Sequence, residues 1–116
     1  MEKIIIQANG FVLNEKMRKH VLQRLHSIFG FNKYEVQRIV ITFFDEKEYS
    51  NNIESRCNIE VKIKDQPAII TELVSFDIFM ATTLAIERAH LKTSRRVIDE
   101  KAIRKQIERS KNVYSF

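Results

Sequence analysis

The side chains whose types and spacing could do chemistry are cations in the C-terminal part of the chain. Arg88, Lys92 and Arg95 follow one another at i, i+4 and i+7, with Arg96 beside them. In a helix this spacing sets three cations along about 10 Å of one edge, where they repel one another slightly. The phosphates of a nucleic acid would relieve that repulsion, but cations near a helix C-terminus are also typical of a solvated face. The pattern therefore leaves two interpretations open, a phosphate-binding edge and an ordinary polar surface.

The net charge of +5 is concentrated in the same part of the chain. Residues 1–86 carry 11 basic and 11 acidic side chains, whereas residues 87–116 carry 9 basic and 4 acidic ones. A polyanionic partner is the class of partner that such a charge distribution favours. A second predicted helix earlier in the chain adds further cations. If the two helices lie side by side, we expect their exposed edges to form a continuous positive surface. The cations of the earlier helix are Lys16, Arg18, Lys19 and Arg24.

Residues that could catalyse a reaction or hold a metal do not form a recognisable pattern. The histidines are His20, His26 and His90, and no two of them have the three- or four-residue spacing of helical metal ligands. Cys57 alternates with apolar residues, so we expect a buried thiol rather than a nucleophile. Carboxylates are scattered without a pair suited to general acid and base catalysis. We therefore expect a protein that is not an enzyme and that uses neither a cofactor nor a metal.

Length and composition bound the class of protein. A chain of 116 residues with 44% hydrophobic and 30% charged residues predicts one globular domain. Two glycines and one proline leave no glycine-rich phosphate loop, and a single cysteine provides no disulfide framework. No apolar run approaches the roughly 20 residues of a membrane span, and the N-terminus does not have the pattern of a secretory signal. We therefore expect a cytoplasmic protein.

The hydrophobic pattern predicts the elements that position the cations. A strand at Lys3–Gln7 precedes a helix over about 15–29, which Asn14 caps. The segment 45–55 is charged and predicts a solvated loop between two strands, 36–44 and 56–64. A fourth strand at 68–73 precedes a long helix over 78–97, which Ser75 or Asp77 can cap. The order β-α-β-β-β-α predicts an α+β two-layer sandwich, a four-stranded sheet with two helices packed on one face. Residues 99–116 then form a basic C-terminal tail, helical or disordered, after the domain of residues 1–98.

Several short motifs in this order resemble those of the ribosome hibernation-promoting factor and ribosome-associated inhibitor family, also called the sigma-54 modulation protein family. The resemblance spans roughly residues 2–98. It rests on the order and spacing of four segments: 3–7 with Asn9-Gly10-Phe11, Met17-Arg18-Lys19, and Asp77-Ile78-Phe79-Met80-Ala81. The chain is similar to the short form of the family, which has no C-terminal dimerisation domain.

The resemblance implies a function and a set of contact residues. Proteins of this family bind the small ribosomal subunit where mRNA and tRNA would lie, and they silence translation in stress or stationary phase without catalysis. Asp77 and Phe79 match the family's aspartate and aromatic residue at the start of the second helix. Its basic rRNA-binding positions match Arg18, Arg24, Arg88 and Arg95. Departures occur at Ser27, where the family has a lysine, and at Leu91-Lys92, where the family has an arginine–glutamine pair, so the positive charge is displaced by one position.

Two functions are therefore expected from the sequence. The first is an rRNA-binding factor of the small ribosomal subunit, a monomer when free, that binds no membrane and no small-molecule substrate. The alternative is a protein-interaction module that docks an acidic partner through its basic helix edge, its tail or the edge of its sheet. Aromatic residues such as Tyr34, Phe43, Phe44 and Phe79 are expected in the core rather than as stacking platforms. The rRNA-binding residues predicted are Arg18, Arg24, Arg88, Lys92, Arg95 and Arg96.

Overall fold

The computed structural model describes residues 3–30, 35–49 and 52–114, together with their side chains except those of residues 45–53 and 110–114. Its elements follow the predicted order. They are β1 (Lys3–Asn9), α1 (Glu15–Phe29), β2 (Val36–Tyr49), β3 (Asn52–Ile63), β4 (Ile69–Ser75) and α2 (Ile78–Tyr114). Among the described residues, no helix is both long enough and apolar enough to span a membrane.

The four strands form one sheet in the order β1-β2-β3-β4. Strands β1 and β2 are parallel and are joined by α1, whereas β2, β3 and β4 are successive antiparallel neighbours. Helix α2 lies across β3 and β4 and also contacts α1. The predicted α+β sandwich with two helices on one face of the sheet is therefore confirmed.

The core lies between the helices and one face of the sheet. Alternation along β3 buries Cys57, Ile59 and Val61 on that face, as the sequence predicts, and leaves Arg56, Asn58 and Glu60 on the other. Helix α1 contributes a stripe at four-residue spacing, and α2 contributes mainly small side chains that allow it to lie close to the sheet. These helical core residues are Met17, Val21, Leu25, Phe29, Ala81, Ala85, Ile86 and Ala89.

Both helix starts have the capping residues that the sequence predicts. The Asn14 side-chain oxygen accepts a hydrogen bond from the backbone N–H of Met17 at 2.8 Å. The Asp77 carboxylate accepts from the N–H groups of Phe79 at 2.9 Å and Met80 at 3.3 Å. These contacts satisfy amides that have no partner within the helix, and so they fix where α1 and α2 begin.

The prediction of a solvated loop over 45–55 is wrong. Strand β2 continues to Tyr49 and β3 starts at Asn52, with Glu48 opposite Ile53. Charged residues are compatible with a strand here because a hairpin is held by backbone hydrogen bonds and does not require a buried face. Ser50 and Asn51 of the predicted loop lie outside the described residues.

Helix α2 is also longer than predicted, because it continues from Val97 to Tyr114 without a break. Residues 99–114 are thus helical, one of the two expected alternatives, and they extend α2 instead of forming a separate helix. Ser115 and Phe116 lie outside the described residues. The division into a domain of residues 1–98 and a basic tail of residues 99–116 stays a prediction.

Candidate nucleic-acid interface

Two of the predicted cations of α2, Lys92 and Arg96, lie on the side of the helix that faces the outer edge of β4. The Lys92 ammonium donates a hydrogen bond to the backbone carbonyl of Ile70 at 3.0 Å. One turn further on, the Arg96 guanidinium donates to the carbonyl of Pro67, just before β4 begins. These two contacts show that the side chains reach down past the helix to the sheet edge, so the β4 side of α2 is cationic.

Arg88 and Arg95 extend the same side of the helix. Arg88 precedes Lys92 by four residues and Arg95 follows it by three, which sets all three side chains on one edge. Both arginines are exposed, and neither forms an ion pair with another described residue. Their guanidinium groups are therefore available to a ligand in solvent. The structure brings together four of the six predicted residues, Arg88, Lys92, Arg95 and Arg96, which we call the α2 cationic edge.

A shallow hollow of about 610 Å³ lies between the α2 cationic edge and the start of β4. Two carboxylates, Asp99 and Glu100, line it together with three of the four cations. The carboxylates reduce the local positive charge without cancelling it. An open site with this charge suits a phosphate group that remains partly hydrated, and it offers no apolar enclosure for a small organic molecule. Its lining residues are Gln66, Ile69, Ile70, Lys92, Arg95, Arg96, Asp99, Glu100 and Ile103.

The two predicted residues of α1 do not join this edge. Arg24 donates to the carboxylate of Glu87 on α2 at 3.1 Å, and this ion pair lies between the two helices. His20 contacts Phe79 with ring centroids 5.4 Å apart, which identifies another residue on the α2-facing side of α1. Arg18 precedes His20 by two residues, about 160° away around the helix axis, so it projects away from α2. The helices do lie side by side, but Arg18 and Arg24 do not extend the α2 cationic edge into one continuous surface.

Sequence reasoning missed the groups that lie beside these cations, two carboxylates and two backbone carbonyls, although Glu100 itself pairs with Arg104. Asp99 follows Arg95 by four residues and Arg96 by three, and Glu100 follows Arg96 by four. This helical spacing was a detectable signal that carboxylates share the edge. The carbonyls of Ile70 and Pro67 gave no signal, because only the packing of α2 against β4 brings them near Lys92 and Arg96.

Within the described part of the chain, no other group of side chains is placed for catalysis or for metal binding. Cys57 is buried, and burial raises the pKa of its thiol to about 12, which disfavours the nucleophilic thiolate. Among the described residues, no group of three or more His, Cys, Asp or Glu side chains is placed to hold a metal ion. The expectation for aromatic residues holds for Phe43, which is buried, whereas Phe79 is partly exposed. Tyr34 lies outside the described residues.

Solved structures of other proteins share this fold, among them the following two. A ribosomal subunit interface protein from Coxiella burnetii is similar with a TM-score of 0.70 and 20% identity, over 83% of this chain and 97% of that chain. The N-terminal domain of Protein Y from Thermus thermophilus is similar with a TM-score of 0.64 and 14% identity, over 82% of this chain and 98% of that domain. No family model and no curated protein matches the sequence. At these identities the likeness is one of fold, and at that level it supports the resemblance found in the sequence motifs.

Proposed function

We propose that the protein is a non-enzymatic factor of the ribosome hibernation-promoting and ribosome-associated inhibitor family. It binds the rRNA of the small ribosomal subunit in the channel for mRNA and tRNA, and by occupying that channel it inhibits translation or stores ribosomes under stress. The observation that carries this proposal is the α2 cationic edge, four basic side chains on one side of a single helix. The fold shared with a ribosomal subunit interface protein supports the choice of a ribosomal partner.

Phosphate neutralisation supplies the affinity in this proposal. Arg88 and Arg95 contact phosphates directly, while Lys92 and Arg96 each exchange a backbone carbonyl for a phosphate oxygen. Arg18 and Arg24 are assigned a smaller share, because Glu87 already neutralises Arg24 and Arg18 projects elsewhere. Such contacts recognise the shape and charge of folded RNA rather than a base sequence.

The first experiment is sedimentation of the protein with purified small subunits, large subunits and whole ribosomes through sucrose gradients at increasing salt. We expect co-migration with the small subunit. Neutralising four phosphates gives a plot of log affinity against log salt with a slope of roughly −3 to −4. The same gradients report whether bound ribosomes remain single or pair. Failure to co-migrate at low salt would exclude a ribosomal function.

The paired substitution Arg88→Glu with Arg95→Glu tests the cationic edge directly. We expect it to abolish detectable co-migration at moderate salt, because two attractive phosphate contacts become repulsive. The matched control is Lys3→Glu with Arg38→Glu, which makes the same change in net charge. Both residues are exposed and lie on β1 and β2, away from the β4 edge of the sheet. If both double variants lost co-migration equally, only the net charge of the protein would matter. If the Arg88→Glu, Arg95→Glu variant still co-migrated, the α2 cationic edge would have no role in binding.

A further inference from the structure

The solvent side of α2 carries a line of large apolar side chains, three of which are about half exposed or more. Met80, Leu91 and Ile98 are 52%, 51% and 63% exposed. Leu84 lies between the first two and is partly packed on the core. These four residues fall within about 40° of one another around the helix axis and extend over about 27 Å. An exposed apolar line of this length is typical of a surface that another molecule covers.

The spacing within this line indicates the secondary structure of the molecule that would cover it. Leu84, Leu91 and Ile98 are each seven residues apart, which repeats every two helical turns. Side chains at this interval pack between those of a second helix that lies nearly parallel or antiparallel to the first. A strand or an irregular loop has no matching repeat. We call this line, Met80, Leu84, Leu91 and Ile98, the α2 apolar seam.

The charges beside the seam indicate the chemistry of the partner. Arg88 and Arg95 flank it on the side away from α1, and they are also seven residues apart. On the other side the Arg24–Glu87 ion pair leaves no net charge. Asp99 lies beside Arg95 but does not cancel the two arginines, so a partner helix would meet a net positive charge on this side only. Acidic side chains along the matching side of that helix would complement it.

A second copy of this chain fits the seam poorly. In an antiparallel pair related by a twofold axis, the same flank of each helix meets its counterpart. Arg88 of one copy would then face Arg95 of the other, and this repulsion would repeat symmetrically. The unbalanced flank thus favours a different protein over self-association.

We propose that the α2 apolar seam binds an amphipathic helix of a partner protein, with apolar residues at heptad spacing and acidic residues along one side. This interaction is distinct from rRNA binding, because it depends on Leu91 and Ile98 rather than on cations alone. It does share Arg88 and Arg95 with the cationic edge, so a protein helix and RNA phosphates compete for those two side chains.

The test uses the full chain and a fluorescent 21-residue peptide that carries leucines at heptad positions and glutamates on one flank. We expect saturable binding, measured by fluorescence anisotropy. Leu91→Gln with Ile98→Gln should weaken it by about tenfold or more, the loss expected when two apolar contacts are removed. Leu91→Met with Ile98→Met, which keeps the apolar surface, should bind nearly as well. A peptide with lysines in place of the glutamates should not bind, unless Arg88→Glu and Arg95→Glu are introduced.

Two results of the peptide assay would overturn the proposal. One is equal binding of the glutamate and lysine peptides, and the other is binding that the glutamine variant leaves unchanged. A photo-crosslinking amino acid at position 91 extends the test to cells, where we expect an adduct that survives RNase and maps to an acidic helix. Adducts to nucleic acid alone would contradict it. Ribosome sedimentation of the glutamine variant keeps the two proposals separate, because rRNA binding through the cationic edge does not need Leu91 or Ile98.

Discussion

Cys57 illustrates how burial controls the chemistry of one side chain. The thiol lies on the core face of β3, and its raised pKa means that the native state holds its proton more tightly than the unfolded chain does. We expect a thiol-specific disulfide reagent to react with Cys57 only as fast as the protein unfolds. The control is Ser27→Cys in a Cys57→Ala background, which has an exposed thiol on α1 that should react at once. Rapid reaction of native Cys57 would contradict its burial.

The same pKa shift predicts a stability difference at high pH. Above the ordinary value of 9.0 the unfolded thiol loses its proton, whereas the native thiol keeps it until about pH 12. The native state of the wild type thus loses stability relative to Cys57→Ala as pH rises through this window, by about 1.4 kcal/mol per unit. Urea unfolding of both proteins at pH 8 and pH 10.5 measures the difference.

Three buried threonines provide a second comparison at the residue scale. Thr82 and Thr93 donate their hydroxyls to the carbonyls of Ile78 and Ala89, at 2.6 and 2.8 Å. The Thr71 hydroxyl on β4 is buried without a hydrogen-bond partner among the described residues. A buried hydroxyl without a partner costs stability, and valine has nearly the same shape.

Thr71→Val should therefore raise the free energy of unfolding by about 1 kcal/mol. Thr93→Val is the matched control, and it should lower the free energy of unfolding, because it removes the hydrogen bond from the Thr93 hydroxyl to the Ala89 carbonyl. Chemical denaturation of both variants measures the effect. If Thr71→Val destabilised the protein as Thr93→Val does, the Thr71 hydroxyl would have a hydrogen-bond partner.

At the scale of elements, α2 combines two segments of very different packing. Its first half contributes Ala81, Ala85 and Ala89 to the core, whereas residues 101–109 are all exposed. We expect native-state amide exchange to be slow in the first half, near the rate of global unfolding, and faster by orders of magnitude over 101–109.

Ala102→Pro sharpens this test of the projecting half of α2. The proline should remove much of the helical circular dichroism beyond residue 98 while leaving the urea midpoint nearly unchanged, since little core packing is lost. Ala102→Ser keeps the backbone donor and serves as the control. A large drop in the midpoint for the proline variant alone would mean that the projecting half supports the core.

The hydrophobic pattern of the sequence predicted an element well wherever that element buries apolar side chains. The bounds of α1 and the core face of β3 followed from apolar spacing, and both helix caps followed from residue type. The extensions of β2 and β3 could not be predicted, because the charged segment between the two predicted strands has no regular apolar alternation. For residues 99–114 the sequence leaves helix and disorder open, because no apolar stripe of the kind that packs on a core marks a helix there. In the candidate site, spacing alone put four cations on one edge of α2. The Arg24–Glu87 pair could not be found from spacing, since tertiary packing joins residues 63 positions apart.

At the scale of the whole molecule, the projecting half of α2 makes the protein elongated. Its dimensions are 70 × 30 × 18 Å, and its radius of gyration is 17.9 Å, against about 13 Å for a compact chain of this length. We expect small-angle X-ray scattering to give the larger value. A chain ending at Ile98 should approach about 13 Å. A full-length value near 13 Å would show that the helix folds back in solution.

The hydrogen bonds from Lys92 and Arg96 also hinder the open edge of the sheet from pairing with strands of other molecules. The outer edge of β4 is an open strand, and open strands recruit strands from other molecules. The carbonyls of Ile70 on this edge and of Pro67 just before it already accept hydrogen bonds from α2 side chains, so a foreign strand meets charged groups there instead of free acceptors. When phosphates bind Lys92 and Arg96, the carbonyls of Ile70 and Pro67 lose these hydrogen bonds, but the bound ligand then shields the two carbonyls. The free protein would then resist aggregation by the same side chains that bind its partner.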